Sequence, residues 1–240
     1  MKYDLSYFEE QLKKYRITLT EKQKEQFITY YEMLVEKNKV MNLTAITEYR
    51  DVVIKHFADS IAVVKAFDIK KACTLIDIGT GAGFPGMVLK IIFPEIQITL
   101  LDSLNKRINF LNEVISELSL TGIETIHGRA EDYAHNALYR EKYDVCVSRA
   151  VANLSTLSEY CLPFVKINGC FISYKAGECE EEVDNASVAI SRLGGEKPEV
   201  VKYTLPDTDI QRNFVNIKKV CKTKPTYPRK AGIPSKEPLK

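Results

Sequence analysis

The stretch Leu75-Ile76-Asp77-Ile78-Gly79-Thr80-Gly81-Ala82-Gly83-Phe84-Pro85-Gly86 decides the fold. An apolar run leads into a loop that carries glycine at every second position, and the proline that follows suits the first turn of a helix. Glycines let the backbone approach a ligand closely, and a helix N-terminus offers free N–H groups and the positive end of the helix dipole. The stretch therefore predicts a strand, a ligand-binding loop and a helix in succession.

Two classes of ligand fit this loop. Its last three glycines give the G-x-G-x-x-G of dinucleotide-binding proteins, whereas Asp77 and the first three glycines give the D-x-G-x-G-x-G of methyltransferases that use S-adenosylmethionine. Asp102, which closes the next predicted strand, suits hydrogen bonds from ribose hydroxyls in either case. A carboxylate at Asp77 would repel a pyrophosphate and attract the ammonium and sulfonium groups of S-adenosylmethionine. Charge therefore favours S-adenosylmethionine over NAD.

From residue 72 onward, short β-rich runs alternate with helical ones. Strands are predicted at 73–78, 96–101, 123–127, 143–148, 170–175, 199–204 and 213–220, and helices at 85–93, 105–120, 131–138, 154–165 and 178–193. Such alternation indicates a mostly parallel sheet with helices on both faces, and the two consecutive strands at the end indicate an antiparallel closing hairpin. The expected fold class is therefore α/β, a Rossmann-like sheet of seven strands of the kind found in class I S-adenosylmethionine methyltransferases.

The segment before this sheet is predicted to be helical. Leu5, Phe8 and Leu12 recur at helical spacing, and Thr20 with Gln23 forms a capping-box pattern at the start of a second helix. We expect a helical N-terminal domain at 1–70, a Rossmann-like domain at 71–221 and a basic, proline-rich tail at 222–240. The four prolines of the tail predict an extended segment without regular structure.

Charge is distributed unevenly along the 240 residues. The whole chain has 34 Lys and Arg against 32 Asp and Glu, a net charge of +2. The segment 218–240 holds seven Lys and one Arg against one Glu, so it carries +7 and the rest carries −5. A basic tail on an acidic body suggests a polyanionic partner, although a solvated terminus explains the same charges.

Composition excludes several other classes of protein. No apolar run approaches the ~20 residues that span a bilayer, and the charged start is unlike a signal peptide. The six cysteines form no C-x-x-C pair, and the three histidines have no clustered metal ligands around them. We therefore expect a cytoplasmic protein with reduced cysteines, no metal, no membrane partner and, without a coiled-coil heptad, a monomeric state.

Polar residues follow other predicted strands. Glu131 comes after the third strand, where it suits either the adenine amino group of a ligand or the helix dipole. Arg149 follows the fourth strand and Lys175 ends the fifth, so each is either a contact to cofactor or substrate or a surface cation. His56 and Asp59 lie three apart on one predicted helix face, which favours structural hydrogen bonds.

These motifs together resemble one family. The matching segments are 42–46 (NLTAI), 56–60 (HFADS), 77–86 (DIGTGAGFPG), 102–103 with 106–107 (DS, KR), 128–131 (GRAE), 148–150 (SRA) and 227–234 (YPRKAGIP). The combination resembles the ribosomal small-subunit RNA methyltransferase G family from about residue 20 to the tail. The resemblance implies methylation of the N7 of one guanine in 16S ribosomal RNA, alone or in the small subunit, with S-adenosylmethionine as donor.

The resemblance and the glycine loop together give a set of candidate site residues. The family's cofactor contacts carry over to Gly79, Phe84, Ala130, Glu131 and Arg149. The full cofactor set is Asp77, Gly79, Thr80, Gly81, Gly83, Phe84, Asp102, Ser103, Ala130, Glu131 and Arg149. Basic residues expected to contact RNA are Lys106, Arg107, Arg129, Arg229 and Lys230.

The expected chemistry needs no general base, because guanine N7 has a free lone pair and no proton to lose. Catalysis then depends on proximity and orientation. A cation that donated to N7 would block the nucleophile, so Arg149 or Lys175 would position the base through O6 or a phosphate. Three alternatives remain. The basic tail argues against a small-molecule methyltransferase, and Asp77 argues against a NAD-dependent oxidoreductase. The intact glycine loop argues against a non-catalytic RNA-binding assembly protein.

Overall fold

The computed structural model of the protein describes residues 3–71 and 74–240. Its α-helices are Ser6–Lys13 (α1), Glu21–Met41 (α2), Tyr49–Val52 (α3), Asp59–Ile61 (α4), Gly86–Ile92 (α5), Asn105–Glu117 (α6), Ala130–Tyr133 (α7), Leu154–Cys161 (α8), Glu180–Arg192 (α9) and Ile233–Lys236 (α10). Its strands are Thr74–Ile78 (β1), Gln97–Asp102 (β2), Ile123–His127 (β3), Tyr143–Ser148 (β4), Val165–Ala176 (β5), Glu199–Thr204 (β6) and Gln211–Lys218 (β7). Short 3₁₀ turns span Ala62–Lys65, Ile69–Lys71 and Leu162–Phe164.

The seven strands form one sheet in the order β3-β2-β1-β4-β5-β7-β6. Strands β1 to β5 pair in parallel, and β7 lies antiparallel between β5 and β6. The chain reverses its direction of travel across the sheet between β1 and β4. The carboxyl ends of these strands therefore flank the crevice in which open α/β sheets bind ligands. The predicted mostly parallel sheet with a closing hairpin is confirmed.

Several predicted bounds differ from the observed ones, most clearly those of β5 and α7, and one predicted position lies outside the described residues. Strand β5 begins at Val165 rather than at residue 170, because Val165 already pairs with Tyr143 of β4. Helix α7 ends at Tyr133 rather than at residue 138, and the turns that follow bind the C-terminal tail. The predicted first position of β1, Cys73, lies outside the described residues.

The N-terminal helices share one hydrophobic core with a face of the sheet. Phe27 packs between Phe8 and Phe57, with ring centroids 5.0 and 4.9 Å away. The side chain of Gln26, on α2, donates to the carbonyl of Leu118 at the end of α6, which covers the sheet. The predicted capping box at the start of α2 is confirmed. Because the helices and the sheet are joined by buried side chains, residues of the N-terminal segment are held firmly at the carboxyl ends of the strands.

A π-helical turn, Val53–Ala58, joins α3 to α4. π-Helical turns occur frequently at functional sites, where the extra residue per turn redirects side chains. Here the turn carries His56, and α4 begins with Asp59; both side chains are buried beside the ends of β4 and β5. Among the helices that the structure describes, none combines the length and the apolar character required to cross a bilayer.

Candidate functional site

Asp77, at the end of β1, holds the glycine loop from inside the protein. Its Oδ2 accepts hydrogen bonds from the Thr80 hydroxyl at 2.8 Å and from the Gly86 amide at 2.9 Å. The carboxylate is fully buried, and its Oδ1 has no hydrogen-bond partner in the described chain. Burial raises the pKa of Asp77 to about 6. Asp77 therefore shapes the loop, and it is absent from the lining of the cavity that the loop borders.

Two positions of the loop require glycine for different structural reasons. At Gly83, with φ +103°, an added Cβ would lie 2.5 Å from Met87 Cγ and 2.7 Å from Tyr30 Oη. At Gly81, with φ +62°, an added Cβ would meet no atom within 4 Å, because this backbone borders the cavity. Gly83 is thus required by packing inside the protein, whereas Gly81 leaves space where a ligand would lie.

Asp102, at the end of β2, is oriented by three hydrogen bonds. Its Oδ2 accepts from the Gly81 amide at 2.9 Å and from Arg107 Nη1 at 3.2 Å, and its Oδ1 accepts from the Leu104 amide at 2.9 Å. A carboxylate has about four acceptor positions, so one remains for a ligand hydroxyl. The side chain is nearly buried yet lines the cavity, as the predicted contact to ribose requires.

A cavity of about 560 Å³ lies at the carboxyl ends of β1, β2 and β4 and at the start of α7. Its volume lies within the usual range for small-molecule sites. Nine of the predicted cofactor residues line it: Gly79, Thr80, Gly81, Phe84, Asp102, Ser103, Ala130, Glu131 and Arg149. The open space at Gly81 and the remaining acceptor position of Asp102 fit a nucleoside with ribose hydroxyls. The residues present therefore suit S-adenosylmethionine.

Glu131 forms the other end of this cavity, on α7. Its Oε1 accepts a hydrogen bond from the amide of Gly232 in the C-terminal tail at 2.9 Å. No hydrogen bond involves its Oε2 among the described residues, which leaves an acceptor for a ligand amino group. The sequence did not predict that the tail reaches this residue, because the two positions are 101 residues apart.

Arg149 joins the end of β4 to the N-terminal segment. Its Nη1 lies 3.2 Å from Asp59 Oδ2, and its Nη2 lies 3.3 Å from His56 Nδ1. Its guanidinium carbon is 5.2 Å from the ring centre of Phe84, on which the His56 ring stacks at 4.4 Å. Burial, with the nearby positive charge of Arg149, lowers the pKa of His56 to about 3. His56 is therefore a neutral, buried part of the cavity wall.

Asp59 is a buried centre of hydrogen bonds. Besides Arg149, it accepts from Arg212 Nε at 3.1 Å and from the Tyr203 hydroxyl at 2.7 Å. These bonds tie α4 to β4, β6 and β7. The sequence predicted structural hydrogen bonds for His56 and Asp59; it did not indicate Arg212 and Tyr203, which lie more than 140 residues away along the chain.

A second cavity, of about 730 Å³, adjoins the first and shares His56 and residues 149–152 with it. Lys175 lines only this second cavity. The Lys175 ammonium donates to the carbonyl of Ala152 and to Glu182 Oε1, both at 2.7 Å. Lys175 therefore lies on the predicted rim, and its partner Glu182 on α9 was not predicted.

The predicted RNA-contacting cations divide into bound and exposed groups. Arg229 pairs with the fully buried carboxylate of Glu159, with Nη2 at 2.7 Å and Nε at 3.0 Å from its two oxygens. Arg107 pairs with Asp102 at 3.2 Å. Lys106, Arg129 and Lys230 are exposed. Arg229 is thus bound to a partner inside the protein. The tail packs on the sheet domain and forms the short helix α10, whereas an extended segment without regular structure was predicted.

The described ranges, 3–71 and 74–240, contain no group of three or more His, Cys, Asp or Glu side chains arranged to hold a metal ion. The described cysteines are unpaired, and Cys146, Cys161, Cys170 and Cys179 are buried.

Comparisons with known proteins agree with this geometry. A family model described as rRNA small subunit methyltransferase G matches residues 23–215. The ribosomal RNA small subunit methyltransferase G of Lachnoclostridium phytofermentans is 52% identical over 236 residues, 98% of each chain. The protein of the same name from Clostridium botulinum strain Loch Maree is 54% identical over 224 residues, 93% of this chain and 94% of its own.

Solved structures share the fold at low sequence identity. TrmN from Thermus thermophilus has a TM-score of 0.53 and 12% identity, and the match covers 70% of this chain and 53% of that one. A SAM-dependent O-methyltransferase from Thermotoga maritima has a TM-score of 0.51 and 17% identity, covering 80% of this chain and 72% of that one. The predicted Rossmann-like α/β fold is confirmed as the fold of these methyltransferases, and the predicted cofactor, S-adenosylmethionine, agrees with family and fold. With a family model over most of its length and relatives identical at more than half of the aligned positions, the chain belongs to the rRNA small subunit methyltransferase G family.

Proposed function

We propose that this protein methylates the N7 of a guanine in 16S ribosomal RNA with S-adenosylmethionine as donor. The observation that carries the proposal is the pair of adjoining cavities that share the wall of His56 and residues 149–152. One cavity has the nucleoside-binding features described above. The other gives a base access to the same wall. Family membership and the resemblance to its motifs support ribosomal RNA as the substrate.

The proposed roles in the first cavity follow from hydrogen-bond capacity. Asp102 receives a ribose hydroxyl through its remaining acceptor position, and Glu131 receives an amino group through Oε2. The Gly81 backbone allows the ligand to approach closely. When bound, S-adenosylmethionine supplies an electrophilic methyl group on a positively charged sulfur. Phe84 and the neutral His56, whose rings stack, form an aromatic part of the wall against which the ligand can pack.

The protein's own contribution to catalysis is orientation. Guanine N7 attacks with a lone pair and releases no proton, so no side chain has to accept one. The neutral state of His56 and the pairing of Arg149 with Asp59 keep both side chains fixed. Arg149, held in this way, positions substrate or cofactor without donating to N7. Exposed Lys106, Arg129 and Lys230 contribute salt-dependent contacts to phosphates.

The test is transfer of a labelled methyl group to small ribosomal subunits and to naked 16S RNA, followed by mapping of the modified atom. Asp102→Ala should abolish transfer, because it removes the proposed ribose acceptor. Asp132→Ala is the matched control, since Asp132 is an exposed carboxylate on α7 that does not line the cavity. No transfer to either RNA by the unmodified protein, or a label at an atom other than guanine N7, would overturn the proposal.

A further inference from the structure

The second cavity contains a charged pair whose hydrogen-bonding capacity is only partly used. We propose that this cavity binds the target guanine by its Watson–Crick edge, through the side chains of Lys175 and Glu182. The inference rests on the proposed function and adds the residues that select guanine over other bases. It assigns a specificity role to Glu182, which follows β5 on helix α9.

The pair is held in a fixed position by the backbone around it. Glu182 Oε1 accepts from the Leu154 amide at 2.6 Å and from Lys175 Nζ at 2.7 Å. Lys175 Nζ also donates to the Ala152 carbonyl at 2.7 Å. The Lys175 side chain is 11% exposed and that of Glu182 is 31% exposed. Both groups are therefore oriented before any substrate arrives, and both remain accessible from the cavity.

One donor and one acceptor of the pair are unused in the described chain. An ammonium has three protons, and Lys175 uses two of them. Glu182 Oε2 takes part in no hydrogen bond among the described residues. The other described carboxylate that lines this cavity, Asp59, uses both of its oxygens. The free donor and the free acceptor thus belong to neighbouring groups on one wall.

The Watson–Crick edge of guanine complements this arrangement. It presents the O6 acceptor beside the N1–H and N2 amino donors, so the ammonium would bind O6 and the two acceptor positions of Glu182 Oε2 would take N1–H and N2. Enzymes that act on an extruded base read this edge by such hydrogen bonds. Adenine presents an amino group and an unprotonated N1 there. A donor would then face the Lys175 ammonium and an acceptor would face the Glu182 carboxylate. Guanine N7 lies on the adjacent Hoogsteen edge, beyond O6, and these contacts leave its lone pair free.

The charge of the pair favours a base over a phosphate as its partner. Glu182 neutralises Lys175 at 2.7 Å, and its free oxygen would repel a phosphate. The neighbouring cations of the cavity are likewise paired, Arg149 and Arg212 with Asp59 and Lys55 with Asp51. A neutral ligand with mixed donors and acceptors therefore fits this wall better than an anion does.

The experiment compares guanosine with inosine, which lacks only the 2-amino group, at the mapped target position of the RNA. We expect unmodified protein to transfer methyl groups to the inosine substrate about tenfold more slowly in single turnovers, since one hydrogen bond to a charged group is lost. Glu182→Gln should slow transfer to guanosine by at least about tenfold, and inosine should then cause little further loss, as expected for two changes that remove one contact. Glu181→Gln is the control, because Glu181 is exposed on the same helix and does not line this cavity.

Equilibrium binding of the same two RNAs without S-adenosylmethionine gives a second readout. Unmodified protein and Glu181→Gln should prefer the guanosine RNA, and Glu182→Gln should not. Equal melting temperatures show that the conservative variant is folded. If guanosine and inosine are discriminated equally by Glu182→Gln and unmodified protein, the guanine-selecting role is wrong while the methyltransferase function stands. If unmodified protein methylates no RNA, both proposals fall.

Discussion

The glycine loop and the C-terminal tail both reach the cofactor cavity, but hydrogen bonds within the loop fix the former and hydrogen bonds from distant parts of the chain fix the latter. The loop is fixed by Asp77, which accepts hydrogen bonds from Thr80 and Gly86, three and nine residues further along the chain. The tail is fixed by Glu159 and Glu131, which lie 70 and 101 residues from the groups they bind. A segment held by local contacts keeps its shape from its own residues, whereas the tail depends on carboxylates from two other helices.

This difference also divides the charges of the tail. The basic segment 218–240, which comprises the tail and the four residues before it, has eight cations. Two of them, Lys219 and Arg229, are bound inside the protein, where Lys219 donates to the Leu162 carbonyl at 2.7 Å. Burial lowers the pKa of Lys219 to about 8. The six others are exposed: Lys218, Lys222, Lys224, Lys230, Lys236 and Lys240. A basic segment thus contains both structural cations and cations available to a polyanion, and its net charge does not distinguish them.

The largest expected effect concerns the structural part of the tail. Arg229→Ala leaves the fully buried Glu159 carboxylate without its ion-pair partner. We expect the free energy of unfolding to fall by about 3–5 kcal/mol, the usual cost of breaking a buried pair from one side. Arg229→Lys should lose less, since it retains the charge. Denaturant unfolding measures both values.

Lys230→Ala is the matched control for this prediction. The side chain is exposed and adjoins Arg229 in sequence, so the free energy of unfolding should change by less than about 0.5 kcal/mol. RNA affinity and its salt dependence should fall for Lys230→Ala instead. If Arg229→Ala proved as stable as Lys230→Ala, the division of the tail into two kinds of cation would be wrong.

The next effect concerns the interior of the glycine loop. Gly83→Ala places a methyl group against Met87 and Tyr30 at a positive φ that L-residues rarely adopt. Overpacking and backbone strain together should lower the free energy of unfolding by about 3 kcal/mol. Thermal and denaturant unfolding check this value. A loss below 1 kcal/mol would mean that the loop backbone shifts to accommodate the methyl group, so its local hydrogen bonds would not hold it in one conformation.

The two regions also explain how far sequence reasoning could go. The strand, the glycines and Asp102 were predictable because their contacts follow from hydrophobic pattern and short spacing. Glu159, Glu182 and Arg212 were not, because each acts through a partner that only the folded sheet brings near. Asp77 lies beside the loop, as the sequence indicated, but the pattern could not show that its carboxylate points inward and binds Thr80 and Gly86. The attraction predicted between Asp77 and the charged groups of S-adenosylmethionine stays a prediction.

Two groups beside the cavity should give opposite responses to acid. The pKa of His56 is lowered to about 3, so its contribution to stability is present above pH 6.5 and is lost as the pH falls. The pKa of Asp77 is raised to about 6, so the native state binds a proton more tightly and stability is gained as the pH falls through 6 towards 3.8. Between pH 6.5 and 4.5 the two changes largely offset each other in the unmodified protein.

Single substitutions should reveal each contribution. His56→Gln should make the free energy of unfolding less sensitive to acid, by about 2 kcal/mol between pH 6.5 and 4.5, and Asp77→Asn should make it more sensitive by a similar amount. Urea unfolding at several pH values measures both slopes against the unmodified protein. Slopes that change in the same direction for both variants would contradict the assignment of a neutral histidine to the cavity wall and of a protonatable carboxyl to the protein interior beneath the glycine loop.

The smallest effect on stability is expected at Gly81, where the consequence lies in ligand binding. Its φ of +62° gives Gly81→Ala a strain of about 1 kcal/mol, and the new methyl group meets no protein atom. Gly177 offers a matched control, because its φ is +67°, an added Cβ also meets nothing within 4 Å, and it lines neither cavity. The two variants should therefore lose equal free energy of unfolding.

Binding of S-adenosylmethionine should separate these two variants. The methyl group of Gly81→Ala occupies space in the cofactor cavity. A steric overlap with the ligand that costs about 1.4 kcal/mol of binding free energy weakens its affinity about tenfold. Gly177→Ala should bind as the unmodified protein does, as titration calorimetry can measure. Equal affinity of both variants would mean that the ligand does not approach the loop at Gly81. The shape of the loop would then serve the fold at Gly83 alone, and the open backbone at Gly81 would need another explanation.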